Sequence, residues 1–299
     1  MSGTPRRTRR VLLVVAVVAV LAVLVVWLTR PAAKPSGSQP TAGGTTIAPP
    51  PGSTGSGFPD AASTGARGAL RAVDGELVLK QRGQVVSDLW VRGRITVAAD
   101  DVVIRNVLVQ NNDFWVVANY GHNLRLESST LIGGPDTQAA VGDLNGGSFT
   151  GRALDVSGSA DGLRMGSHSS LRDSFVHDLA IRDDLHNDAV ELVGAREVSL
   201  VGNTILNENG QTSALSLGNY PAGQSAHVLI SGNLLAGGGY AVYGGEPVQG
   251  VEFSDNRFST RFFPRSGRFG VSAYWAERGN RWSDNRWMDG PDQGDLVQP

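Results

Sequence analysis

The residues best suited to chemistry lie between positions 161 and 191. His177, Asp178, Arg182, Asp183, Asp184, His186, Asn187 and Asp188 form the densest polar cluster of the chain, and Glu191 follows three residues later. His186, Asp188, Glu191 and Arg164 are the candidate catalytic groups. An imidazole titrates near neutrality and serves as acid or base, and carboxylates move protons at a sugar. Asp183, Asp184 and Asp161, with Asp188 beside them, supply the oxygen ligands that Ca²⁺ takes in numbers. A polar loop whose Asp side chains cap turns would explain the same residues without any chemistry.

These groups must be held by strands. Five segments align: Asp161-Gly162-Leu163-Arg164-Met165, Asp188-Ala189-Val190-Glu191-Leu192, Ser213-Ala214-Leu215-Ser216-Leu217, Tyr240-Ala241-Val242-Tyr243-Gly244 and Ser272-Ala273-Tyr274-Trp275-Ala276. Side chains alternate along a strand, so the fourth position points outward when the third and fifth enter the core. Arg164, Glu191, Ser216, Tyr243 and Trp275 then form one external column, with neighbouring coils about 4.8 Å apart. Ser216, Tyr243, Trp275 and Arg182 are the candidate sugar-binding residues. Asp161 and Asp188 fall on adjacent coils, where two carboxylates share a proton, hold a metal or accept corner hydrogen bonds. An ordinary solvated face is the competing reading of the column.

The strands belong to a repeat. A short apolar strand, a polar turn residue and a second apolar strand recur with markers at 88, 106, 129, 152, 173, 203, 233, 256 and 285, spaced 18 to 30 residues apart. Nine such copies without helical periodicity predict a solenoid. Asn106, Asn203, Asn233, Asn256 and Asn285 suit a corner, because Asn tolerates left-handed backbone angles and its amide stacks in ladders. The Trp-rich last coil (Trp275, Trp282, Trp287) is placed to cap one end.

The repeat resembles pectin-lyase-like β-helix proteins over nearly all of 58–299. The opening Gly57-Phe58-Pro59-Asp60-Ala61-Ala62-Ser63-Thr64-Gly65 is similar to the start of secreted actinobacterial β-helix proteins, whose common form has Asn where Ser63 stands. The family pattern His-x-Asp-Gly-Ile-Gln resembles His186-Asn187-Asp188-Ala189-Val190-Glu191, with Ala189 and Glu191 as departures. The resemblance implies an all-β fold, a single-stranded right-handed parallel β-helix. It does not choose among lyases, hydrolases, epimerases and binding proteins, because function lives in sites rather than folds.

The N-terminus sets the expected compartment. Four arginines (Arg6, Arg7, Arg9, Arg10) precede an unbroken apolar run from Val11 to Leu28. At 1.5 Å per residue the run spans about 27 Å, close to a bilayer core, and the arginines place the N-terminus in the cytoplasm. The expected organisation is a basic segment (1–10), a transmembrane anchor or signal segment (11–28), a disordered Pro/Gly/Ser/Thr-rich linker (29–57) and the β-helix (58–299). The domain is expected outside the cell membrane, tethered, or secreted after cleavage. Residues 1–58 carry a charge of +6 and the rest −8, which argues against nucleic acid as a partner. The chain has no Cys, so it has no disulfide, thiol nucleophile or zinc ribbon.

The expected function is an extracellular, monomeric carbohydrate-active protein with a polysaccharide or cell-envelope glycan as partner. Its most concrete form is a lyase acting by β-elimination on a uronic-acid polymer, with Ca²⁺ and Arg164 or Arg182 neutralising the substrate carboxylate and His186 as base. Lysine is an unsuitable base, since Lys80 is the only one after the linker and lies in the first coil. The body's negative charge counts against an anionic polymer. A glycoside hydrolase using Asp161, Asp188 and Glu191, and a non-catalytic surface module that binds glycan, are the alternatives.

Overall fold

The structure is a computed structural model, which describes residues 44–47, 57–181, 186–218, 225–244 and 248–299. Those residues are all-β, with no α-helix among them. No helix among them is long and apolar enough to cross a membrane. Residues 1–43, which include the expected membrane segment, lie outside the described residues, as do Arg182, Asp183 and Asp184.

Two long sheets carry the fold, one of 18 strands and one of nine. Most coils give two strands to the first and one to the second, as in Arg196–Val201, Thr204–Asn207 and Ser213–Ser216. Each strand pairs in parallel with its counterparts one coil before and one coil after. This is the pairing that a parallel solenoid requires, and the nine strands of the second sheet correspond to nine coils. The Gly44–Ile47 strand, within the stretch expected as linker, pairs antiparallel with Gly68–Asp74.

The interior is aliphatic. Leu163, Met165, Val190, Leu192, Leu215, Leu217 and Val242 from the nine-stranded sheet meet Leu171, Leu200, Ile230 and Phe253 from the other. At one end Trp282 stacks flat on Phe253, with centroids 4.4 Å apart, and its indole N–H donates to the Val297 carbonyl at 2.7 Å.

A corner of the long sheet explains the repeated Asn, with one correction to the sequence reading. The left-handed residue is Asp88, Asn106, Ser128, Ala153, Asp173, Gly202, Gly232, Asp255 or Asp284 in successive coils. Except at Asn106, the asparagines stand one position later, fully buried. Each Asn side chain binds the next: Asn203 Nδ2 donates to Asn233 Oδ1 (2.9 Å), Asn233 to Asn256 (3.0 Å) and Asn256 to Asn285 (3.0 Å). The same oxygens accept the backbone N–H of the preceding Asn. A buried amide can fill this role because all its donors and acceptors are matched along the ladder.

Candidate functional site

The nine-stranded sheet brings the candidate residues into two outward rows. In the first, Arg164 stands opposite Glu191, Glu191 opposite Ser216, and Ser216 opposite Tyr243. In the second, Ala139 stands opposite both Trp115 and Asp161, while Asp188 stands opposite Ser213 and Ser213 opposite Tyr240. Leu163 opposite Val190 fixes Asp161 opposite Asp188. Residues 1 and 4 of each segment share this face because Gly162, Ala189, Ala214 and Ala241 turn inward between them: the Ala side chains are fully buried, and a Cβ at Gly162 would lie 2.5 Å from core Val176.

The first row ends differently from the sequence reading. Tyr243 faces Ala273, not Trp275, so the last segment is shifted by two residues. Trp275 packs edge-on to Trp282 at 5.1 Å and to Phe253 at 6.1 Å, against the core. No further coil exists among the described residues to cover that end, and Trp275 closes it. Tyr274 takes the outward place, 5.7 Å from the Tyr243 ring.

The centre of the face is far from a plain solvated surface. Asp161, Asp188 and Glu191 are only 4%, 5% and 3% exposed. Asp161 Oδ1 accepts the Asp188 backbone N–H (3.0 Å) and its Oδ2 accepts Gln138 Nε2–H (2.8 Å). Asp188 Oδ1 accepts the Ser213 hydroxyl. Arg164 Nε lies 2.6 Å from Glu191 Oε2, and its guanidinium sits 5.9 Å over the Trp115 ring. Trp115 can lie there because the next strand has Gly142: a Cβ at that position would come within 2.6 Å of the ring. Nothing in the strand pattern singled out Trp115, but a glycine inside an apolar strand signals a close approach.

Burial dominates the electrostatics. It pushes the Asp188 carboxyl up to about 8, against the opposing Ser213 hydrogen bond, and the charges of Asp161 and Glu191 add to the rise. Burial also raises Asp161, to about 6, despite the Asp188 N–H bond. Asp188 is therefore the weaker acid of the two and Asp161 the more readily ionised. Such a divergence between neighbouring acids is what separates a proton donor from a carboxylate partner.

Other predicted residues lie elsewhere. His186 is exposed just before its strand, and the adjacent Asn187 is the anchored residue: its Nδ2 donates to the carbonyls of Ala160 (2.8 Å) and Ala180 (2.7 Å). His177 forms a separate cluster, with Nε2 2.9 Å from Asp155 Oδ1 and Nδ1 2.7 Å from Asp178 Oδ2, stacked on Phe175. Of the expected Ca²⁺ ligands, Asp161 and Asp188 lie within the described residues and Asp183 and Asp184 outside them. Both Asp161 oxygens already accept hydrogen bonds, and among the described residues no three His, Asp or Glu side chains gather as metal ligands. A cleft of about 780 Å³ lies apart, along the corner of the long sheet beside Phe58, Asp60, Arg152 and Asp173, and contains none of the candidate residues.

No protein-family model matches the chain, and no curated protein matches it either.

Proposed function

We propose that the protein is an extracytoplasmic, carbohydrate-active, right-handed parallel β-helix of the pectin-lyase-like type. The glycan lies along the outer face of the nine-stranded sheet, and cleavage is by acid–base chemistry at Asp161 and Asp188. The observation that carries this reading is the carboxyl pair itself: two buried acids on neighbouring strands, joined by the Asp188 N–H to Asp161 Oδ1 bond, with the Asp188 carboxyl raised further than that of Asp161. Strands lie about 4.8 Å apart, which suits the close carboxyl pair of a retaining glycosidase better than the wider inverting pair. Asp188 gives its proton to the departing glycosidic oxygen. Asp161 attacks the anomeric carbon as the glycosidic oxygen leaves, and Asp188, now ionised, takes a proton from the water that displaces Asp161 and releases the sugar.

The charge of the cluster favours a neutral glycan. Three carboxyl groups face one guanidinium, and Arg164 is held by Glu191. A uronate polymer cleaved by elimination would bring a further anion to this face.

Burial of the three acids supports a second reading, in which the face binds glycan without cleaving it. Incubating the full-length protein with neutral and uronic-acid polysaccharides separates the readings. New reducing ends support hydrolysis, unsaturated products absorbing in the ultraviolet support elimination, and binding without either product supports the second reading.

A further inference from the structure

At one end of the outer face, four aromatic rings form a continuous platform. Tyr240 lies 5.8 Å from Tyr243 and 5.8 Å from Phe269, and Tyr243 lies 5.7 Å from Tyr274. Phe269 is 53% exposed and Tyr274 68% exposed. Soluble proteins leave such contiguous apolar surface open mainly where something binds. The backbone points the same way. Tyr274 has φ of +58°, a left-handed angle that is unusual for a bulky aromatic residue and that lifts its ring toward Tyr243 rather than into the closing core with Trp275. Gly270 stands opposite Tyr240 in the final strand. The Arg268 guanidinium sits 5.4 Å over Phe269 and extends the platform with a donor-rich edge.

The platform is joined to the carboxyl pair. Tyr243 faces Ser216, Tyr240 faces Ser213, and Ser213 binds Asp188. From the platform through the two serines to Asp161 and Arg164, and on to Trp115, the face crosses five strand steps, about 24 Å along the solenoid axis. Aromatic rings at both ends of the face match a chain of linked sugar rings, whose C–H faces stack on aromatics.

We propose that Tyr240, Tyr243, Phe269 and Tyr274 form a sugar-stacking subsite for a neutral pyranose chain, with Tyr274 and Phe269 as its specificity-determining rings. The proposal rests on the reading of this face as a glycan site, and it places the chain along the solenoid axis. It takes pyranoses with an uninterrupted C–H face and disfavours charged sugars near the acidic centre.

The test is calorimetric titration of the full-length protein with hexamers of β-1,4-linked glucose, galactose and xylose, and with hexagalacturonate. At least one neutral hexamer should bind, and more tightly than the charged one. Tyr274→Ala and Phe269→Ala should each lower affinity about tenfold, the size of one stacking contact, whereas Tyr274→Phe should not. Both positions are exposed, so these variants fold. Absence of binding by every neutral hexamer, or wild-type affinity in Tyr274→Ala, would overturn the subsite. Tyr274-dependent binding without any cleavage would uphold the subsite while contradicting the acid–base role of Asp188.

Discussion

The backbone N–H of Asp188 donates to Oδ1 of Asp161 at 3.0 Å, so the acid of one coil is positioned by the main chain of the next. Because parallel coils repeat this geometry, the pair is held by the solenoid itself rather than by a mobile loop. That rigidity keeps two acids close in a buried place, which in turn separates their protonation.

The pair makes stability depend on pH. Both carboxyls are raised from the ordinary 3.8, Asp188 to about 8 and Asp161 to about 6, so the native state binds more protons than the unfolded chain between those values. Stability is therefore greatest below about pH 4 with respect to these groups and falls as pH rises toward 8. Asp188→Asn keeps the acceptor for the Ser213 hydroxyl and removes most of the fall. Thermal melts from pH 4 to 9 should show the variant melting about 5 °C above wild type at pH 8, with a smaller difference at pH 4. A parallel pH profile in the two proteins would count against the raised carboxyl.

The Arg164–Glu191 pair is predicted to be more costly to break than to replace. Glu191 is 5% exposed in its side chain, so Arg164→Ala leaves a carboxylate buried without its cation and should cost about 3–5 kcal/mol in denaturant unfolding. Arg164→Met with Glu191→Leu should recover most of that loss. A single variant as stable as wild type would show the ion pair to be incidental.

Neighbouring residues at the corner should respond very differently. Asn256→Ala removes a fully buried amide that serves Asn233, Asn285 and the Ile230 carbonyl, and should destabilise by about 3 kcal/mol. Asp255, one residue earlier, is exposed at φ of +58°, and Asp255→Gly relieves that angle. Its unfolding free energy should stay within about 1 kcal/mol of wild type. Equal losses in both variants would mean that the corner, rather than the ladder, carries the stability.

His177 should act in a higher pH window. Burial disfavours its protonation, but hydrogen bonds and charges from Asp155 and Asp178 outweigh burial and raise its pKa. Glu208, also raised by burial, faces the same cluster. The stabilisation by His177 is complete below its ordinary value of 6.5 and is lost as pH rises through the raised one. His177→Gln should therefore be less stable than wild type at pH 6 by about 1–2 kcal/mol and nearly equal at pH 9. A constant difference at both pH values would place the effect in packing against Phe175 instead.

The sequence made the repeat legible because each coil must bury an apolar strand and turn at a polar corner. The alignment of Arg164, Glu191, Ser216 and Tyr243, and of Asp161 with Asp188, follows from that periodicity. Trp275 falls off the column because Gly270, Val271, Ser272 and Ala273 in the final strand are all half-buried, so alternation gives no register there. Except at Asn106, the residue before each Asn, not the Asn, takes the left-handed corner, since Gly202, Gly232, Asp255 and Asp284 suit that angle equally well. The burial of the acids was not legible at all, because it arises from neighbouring coils and from Trp115, far away in sequence. The segment expected to span the membrane and the expected metal ligands Asp183 and Asp184 lie outside the described residues.

The most direct measurement is release of reducing ends from neutral polysaccharides by wild type and Asp188→Asn at pH 6–7, alongside their melting temperatures. The proposed function predicts turnover by wild type, a loss of about 100-fold or more in the variant, and a variant at least as stable as wild type. Full turnover in Asp188→Asn, or no cleavage of any glycan by wild type, would contradict an acid–base role for the Asp161–Asp188 pair.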